Sequence, residues 1–295
     1  NSGKDIRQPG KINPALAGIQ EDLIRILSDA EVGQSYQMMF EGHLPFNIGN
    51  FMVGAERTFT DDVSNDMFNF TYARKIKRKE KKLQWRYGGS FQFNTKTLST
   101  PLYDSSAGGF IFKDIDGLQR IAPTLDHLRT GIEYFDAELG AAFTYRNLML
   151  GASIQNFIGA NVSMTTLEKR KVPFSANVML GGFINLGKKA TIFPSAIVLK
   201  NKEQFYRKAS LDFSSKHFNI SSAYISENDF SEINASVAYK FRKIFAGIEY
   251  TQPLADANSL LLDGSPTFNL FLNSTIFKSR SLFKSKFAKQ MKKLY

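Results

Sequence analysis

Hydrophobic and polar residues along this chain alternate with a period of two, most cleanly between Phe135 and Phe157. Phe135, Ala137, Leu139, Ala141, Phe143 and Tyr145 share one side, against Asp136, Glu138, Gly140, Ala142, Thr144 and Arg146 on the other. After Arg146-Asn147 the apolar side resumes as Leu148, Leu150, Ala152 and Ile154, with Met149, Gly151, Ser153 and Gln155 opposite. A helix would repeat every three to four residues, so this pattern predicts two strands joined by a two-residue turn. That turn sets Tyr145 opposite Leu148, Phe143 opposite Leu150 and Leu139 opposite Ile154, which keeps every apolar side chain on one face. Each arm is about ten residues long, within the ~9–11 that a tilted strand needs to cross a bilayer core.

The same alternation predicts strands near 22–28, 34–44, 49–59, 66–77 and 82–95 before this hairpin. After it come strands near 173–186, 190–200, 204–215, 218–226, 230–241, 244–252 and 266–277, which makes fourteen in all. The connections alternate in length. Pro45–Ile48, Arg78–Lys82, Arg146-Asn147, Gly187–Lys189, Lys216-His217 and Arg242-Lys243 are short, while 96–132, read as irregular, 158–172 and 253–265 are long and fall at the other end. Short turns at one end and long loops at the other predict an all-β, transmembrane, antiparallel up-and-down β-barrel with periplasmic turns and extracellular loops. A soluble sandwich or ligand-binding barrel also alternates, but usually with shorter strands and rarely with fourteen.

Composition narrows the choice. The chain carries 27 Phe and a single Trp in 295 residues with a mean hydropathy of −0.24. No run approaches the ~18 apolar residues of a membrane helix, and a closed barrel is the other structure that satisfies its backbone inside hydrocarbon. With no cysteine, disulfides and thiolate metal sites are excluded. No signal peptide is visible, so an exported protein requires Asn1 to follow a completed cleavage. The reading divides the chain into a periplasmic arm over 1–21, a barrel over 22–277 and a basic periplasmic tail over 278–295.

Asn13-Pro14-Ala15-Leu16-Ala17-Gly18 in the arm, Leu150-Gly151-Ala152-Ser153 after the hairpin turn, and the order of the later strands resemble the PorP/SprF family. Gly264-Ser265-Pro266-Thr267 departs from its pattern before the last strand. The resemblance implies an outer-membrane barrel of the type IX secretion system of Bacteroidota. It implies periplasmic or outer-membrane secretion proteins as partners and links some members to gliding adhesins.

Candidate chemistry is sparse. His43, His127 and His217 fall on a strand near a short turn, in the long loop and in another short turn, so they cannot converge as a triad or metal site. No Walker loop, GxGxxG or HExxH is present. Asp136 and Glu138 share a strand face, as expected of a polar lumen. The reading assigns no catalytic residue, cofactor or metal, and the predicted lumen mixes Glu41, Glu56, Asp136, Asp212, Glu232 and Glu249 with Lys75, Arg86, Lys208 and Lys240.

Charge says more than catalytic pattern. The net charge is +11, concentrated in two segments. One holds Arg74, Lys75, Lys77, Arg78, Lys79, Lys81 and Lys82; the other holds Lys278, Arg280, Lys284, Lys286, Lys289, Lys292 and Lys293. Both fall at the short-turn end and form a candidate surface for docking a partner protein. Nucleic acid is not expected, because no reading motif accompanies the basic residues. The barrel itself faces outer-membrane lipid. Gly54, Gly88, Gly140, Gly151, Gly181 and Gly247 fall on the inward face, where they leave clearance for strand curvature or for an inserted segment, either 96–132 or a partner's chain. The competing function is a porin or a channel for hydrophobic solutes.

Overall fold

The computed structural model describes residues 13–17, 22–31, 35–46, 49–60, 63–76, 83–98, 102–105, 108–113, 119–122, 124, 131–163, 169–187, 190–202, 204–228, 230–241, 244–254 and 266–278. Its strands are β1 (Asp22–Glu31), β2 (Ser35–Phe46), β3 (Gly49–Thr60), β4 (Val63–Ile76), β5 (Leu83–Leu98), β6 (Leu102–Asp104), β7 (Gly109–Lys113), β8 (Gln119–Ala122) and β9 (Gly131–Tyr145). They continue as β10 (Leu148–Gln155), β11 (Ser175–Gly182), β12 (Ile184–Leu186), β13 (Ala190–Asn201), β14 (Phe205–Ser214), β15 (Phe218–Glu227), β16 (Phe230–Phe241), β17 (Ile244–Leu254) and β18 (Thr267–Lys278).

Fifteen of these strands form one antiparallel sheet in which β11 and β12 are consecutive pieces of a single wall position. Because β1 pairs with β18 and β11 pairs with both β10 and β13, the hydrogen-bonded order returns on itself as a ring of fourteen wall positions. Closure leaves no unpaired edge, the condition for a sheet in hydrocarbon.

The 135–157 hairpin forms in the register its pattern requires, with Tyr145 paired to Leu148, Phe143 to Leu150 and Leu139 to Ile154. Arg146 opens the turn in the left-handed region at φ 53°. Phe135, Leu139, Leu148, Leu150 and Ile154 all point outward and are 41–65% exposed, so the apolar face is the outer face. Aromatic residues gather at both ends of that face. Trp85 packs on Phe143 at 4.9 Å and Phe218 on Tyr239 at 5.2 Å near the short turns; Phe93 packs on Phe135 and Tyr250 on Phe268 near the long loops. Ten residues of a strand tilted by ~40° separate Phe135 from Tyr145, a height of about 25 Å, which matches the apolar band of outer-membrane barrels.

Two expectations change. The segment 96–132, read as irregular, extends β5 to Leu98, starts β9 at Gly131 and folds β6, β7 and β8 into a separate three-stranded meander. Its short apolar pairs, Phe110 opposite Ala122 and Ile111 opposite Ile121, are too brief for alternation to register. The strand expected over 173–186 is interrupted at Phe183, whose amide donates to the Asn147 carbonyl at 2.9 Å while its own carbonyl accepts from Asn147 Nδ2 at 3.1 Å. This local break leaves the Phe183 side chain buried, packed on Phe193 at 4.5 Å.

Candidate functional site

The lumen is where the chain concentrates its unusual chemistry, and its central feature starts from five residues of the N-terminal arm. Pro14 suits the first turn of a helix because it lacks the N–H that such a position leaves unpaired. Asn13 caps that turn, with Oδ1 accepting from the Ala15 amide at 3.0 Å, and Pro14–Leu16 form a single 3-10 turn closed by Leu16 N–H to the Asn13 carbonyl. All five residues from Asn13 to Ala17 are buried.

They are buried inside the barrel, near the short-turn end. Asn13 Nδ2 donates to the Ala141 and Ala152 carbonyls, both at 3.0 Å, bridging β9 and β10. Arg86 on β5 donates from Nε to the Ala15 carbonyl and from Nη2 to the Ala17 carbonyl, each at 2.7 Å, and Asn50 Nδ2 adds a bond to Ala17 at 3.3 Å. Leu16 and Ala15 share an apolar cluster with Ala142, Met149, Met179, Phe183, Phe193 and Ile197, while Ala17 packs with Met52 and Ala73. Asn13–Ala17, the described part of the arm expected to be periplasmic over 1–21, therefore form a plug inside the ring of strands.

Three of the six inward glycines face this plug. A Cβ on Gly88 would come within 2.6 Å of the Pro14 carbonyl, one on Gly140 would collide with Asn13 Oδ1, and one on Gly151 would lie 3.0 Å from Asn13 Nδ2. The other three clear wall side chains: Gly54 faces Asn69, Gly181 lies under Phe193, and Gly247 lies against Phe271 and Ala238. The segment that Gly88, Gly140 and Gly151 clear is thus Asn13–Ala17 of the chain's own arm.

The rest of the lumen is layered. Ala238, Phe245 and Phe271 form an apolar floor near the short turns, and Leu199, Tyr206 and Ile225 form a second apolar layer toward the long loops. Between them lies a polar cavity lined by Lys208, Asp212 and Glu249 with Ser195, Ser210, Ser221, Ser236, Asn219 and Asn234. On the opposite wall Thr71 bonds Ser90 at 3.0 Å and Gln92 donates to Glu138 at 2.8 Å. Of the acids and bases expected in the lumen, Lys208, Asp212 and Glu249 line this cavity and Arg86 and Asp136 are the most deeply buried, while the Glu41 side chain lies outside the described residues.

Of the basic segment 74–82, the structure describes Arg74 and Lys75, which point to opposite faces. Arg74 is exposed on the outer surface between Tyr72 and Ile76, whereas Lys75 alternates inward, opposite Arg86 in register. Lys77, Arg78, Lys79, Lys81 and Lys82, together with Arg280, Lys284, Lys286, Lys289, Lys292 and Lys293, lie outside the described residues; Lys278 ends β18. Antiparallel order puts the β4–β5 connection and the end of β18 at the same end of the barrel, separated along the wall by β3, β2 and β1. His43 is on β2, His217 stacks on Tyr239 at 6.1 Å in the β14–β15 turn, and His127 lies outside the described residues.

The plug escaped sequence reading because a period of two reports the wall and not what fills it. A signal was nonetheless present: Met149, Met179, Phe193 and Ile197 are apolar at inward positions, where a water-filled lumen would carry polar residues.

A closed antiparallel ring with an apolar outer band and aromatic girdles is an outer-membrane β-barrel. Two solved structures share the fold: the outer membrane protein Omp33 of Acinetobacter baumannii (TM-score 0.52, 7% identity, covering 87% of this chain and 99% of that one) and the CymD monoaromatic hydrocarbon channel (TM-score 0.55, 8% identity, 92% and 94%). The profile of the family described as type IX secretion system membrane protein PorP/SprF matches residues 7–273, and the chain belongs to that family. A search of curated proteins finds no match to the sequence. The protein is thus a secretion-system component of the outer membrane.

Proposed function

We propose that the protein is a non-enzymatic element of the type IX machinery that works through its surfaces, anchoring or presenting other proteins at the envelope, and not through an open pore. One observation carries this reading: Asn13–Ala17 occupy the short-turn end of the lumen, where a diffusion channel needs an unobstructed path. The candidate partners are periplasmic or outer-membrane secretion proteins and secreted cargo, with an adhesin among the cargo classes the family implies in gliding Bacteroidota. The candidate docking surface is the basic rim of the short-turn end, built from the β4–β5 connection and the tail beyond Lys278, where positive charge would steer an acidic partner.

Gentle detergent extraction followed by affinity capture and mass spectrometry tests the reading, in parallel with planar-bilayer recording of the purified barrel. The expected result is recovery of secretion-system proteins and no stable conductance. A barrel that recovers no such protein and conducts solutes steadily would instead be a porin or hydrophobic-solute channel, the alternative that the likeness to CymD keeps in view.

A further inference from the structure

The plug is attached to the wall in an unusual way. Its contacts to the barrel among the described residues run through side chains: the Asn13 amide, the Arg86 guanidinium, the Asn50 amide and the Leu16 pocket. The wall strands meanwhile complete their ladders with each other, β9 with both β5 and β10 and β4 with both β3 and β5. Removing the plug would therefore break no wall ladder, so the barrel does not require it for closure.

What the plug leaves behind is a shaped receptor. Gly88, Gly140 and Gly151 form a side-chain-free bed for the Asn-Pro turn. Arg86 is aimed at two turn carbonyls two residues apart, those of Ala15 and Ala17, and the pocket of Met149, Met179, Phe193 and Ile197 accepts one leucine. The neighbours of Ala15 and Ala17 leave room only for small residues, both being at most 1% exposed. Carbonyl recognition plus one apolar anchor is how a short peptide is read.

We infer that the lumen contains a peptide-binding site for a turn of the pattern Asn-Pro-small-Leu-small, and that Asn13–Ala17 are a tethered, exchangeable ligand in it. Joined to β1 through residues 18–21, the arm holds an effective concentration on the order of millimolar, so it keeps the site filled against dilute competitors. The site lies toward the short-turn end, where β1 begins and a peptide from that side could enter once the arm withdraws. This inference stands independently of which secretion proteins the barrel recruits.

The experiment uses the full chain with Leu16→Asp, which places a carboxylate in the apolar pocket and vacates the site, and the probe is a fluorescent peptide of residues 11–18. The expected result is saturable binding to the Leu16→Asp chain and at least about tenfold weaker binding to the unsubstituted chain, whose own arm occupies the site. A scrambled peptide should bind neither chain, and adding Arg86→Ala to Leu16→Asp should remove binding. Heat-modifiable gel migration reports folding, and full-length Asn13→Ala is the second vacating variant. Equal binding by the unsubstituted chain, equal binding of the scrambled peptide, or no binding to folded variants overturns the inference. Failure of both variants to fold also overturns it, since the arm would then be a fixed part of the barrel.

Discussion

Asn13 occupies the space that any side chain at residue 140 would need: its Oδ1 sits where a Cβ on Gly140 would be built, and its amide spans the β9 and β10 carbonyls on either side. Gly140→Val should consequently expel the arm while leaving the β9 ladder intact. In this cysteine-free protein, a cysteine at Ala17 reports arm position. Thiol labelling should be at least about tenfold faster in Gly140→Val than in the parent, and unchanged in Gly54→Ala, whose neighbour is Asn69. Equal labelling in all three would separate Gly140 from the plug.

Arg86→Ala removes two charged donors in a buried site, one from the Ala15 carbonyl and one from the Ala17 carbonyl, which keeps its bond from Asn50 Nδ2. Each such loss costs about 1–3 kcal/mol, enough to shift the arm toward a withdrawn state by one to two decades. Amide exchange at Leu16 and Ala17, whose N–H groups close the turn, should accelerate accordingly. Exchange of wall amides such as those of β9 should not change.

Leu139 is 55% exposed on the outer band, between the two aromatic girdles. Leu139→Arg should destabilise the inserted barrel by about 2–4 kcal/mol, the cost of Arg or Lys near a bilayer midplane. Ser236→Arg, which points into the polar cavity, should assemble with a much smaller loss. Folding into lipid vesicles followed by urea titration compares them directly.

Orientation follows from which end carries the long connections. An epitope placed in 114–118, between β7 and β8, should be labelled on intact cells, while one after Tyr295 should require permeabilisation. The opposite pattern would reverse the barrel in the membrane.

Deleting 279–295 should leave a folded, inserted barrel that recovers less of its partner, with the residual association less sensitive to salt than that of the full chain. The reason is that exposed charges are screened beyond about 8 Å at physiological ionic strength. Undiminished recovery at every salt concentration would remove the tail from the docking surface.

The sequence by itself determined the wall. A period of two is a property of neighbouring residues, so the hairpin register from Leu139–Ile154 to Tyr145–Leu148, the outward apolar face and the fourteen wall positions were legible from local pattern. Only the tertiary structure decided what the wall encloses. The contacts of Asn13 with Ala141 and Ala152, and of Ala15 with Arg86, join residues 71 to 139 positions apart in the chain. No local periodicity encodes such separations: they arise because ring closure brings distant strands around one lumen, where three glycines and one arginine converge on a turn that precedes the first strand.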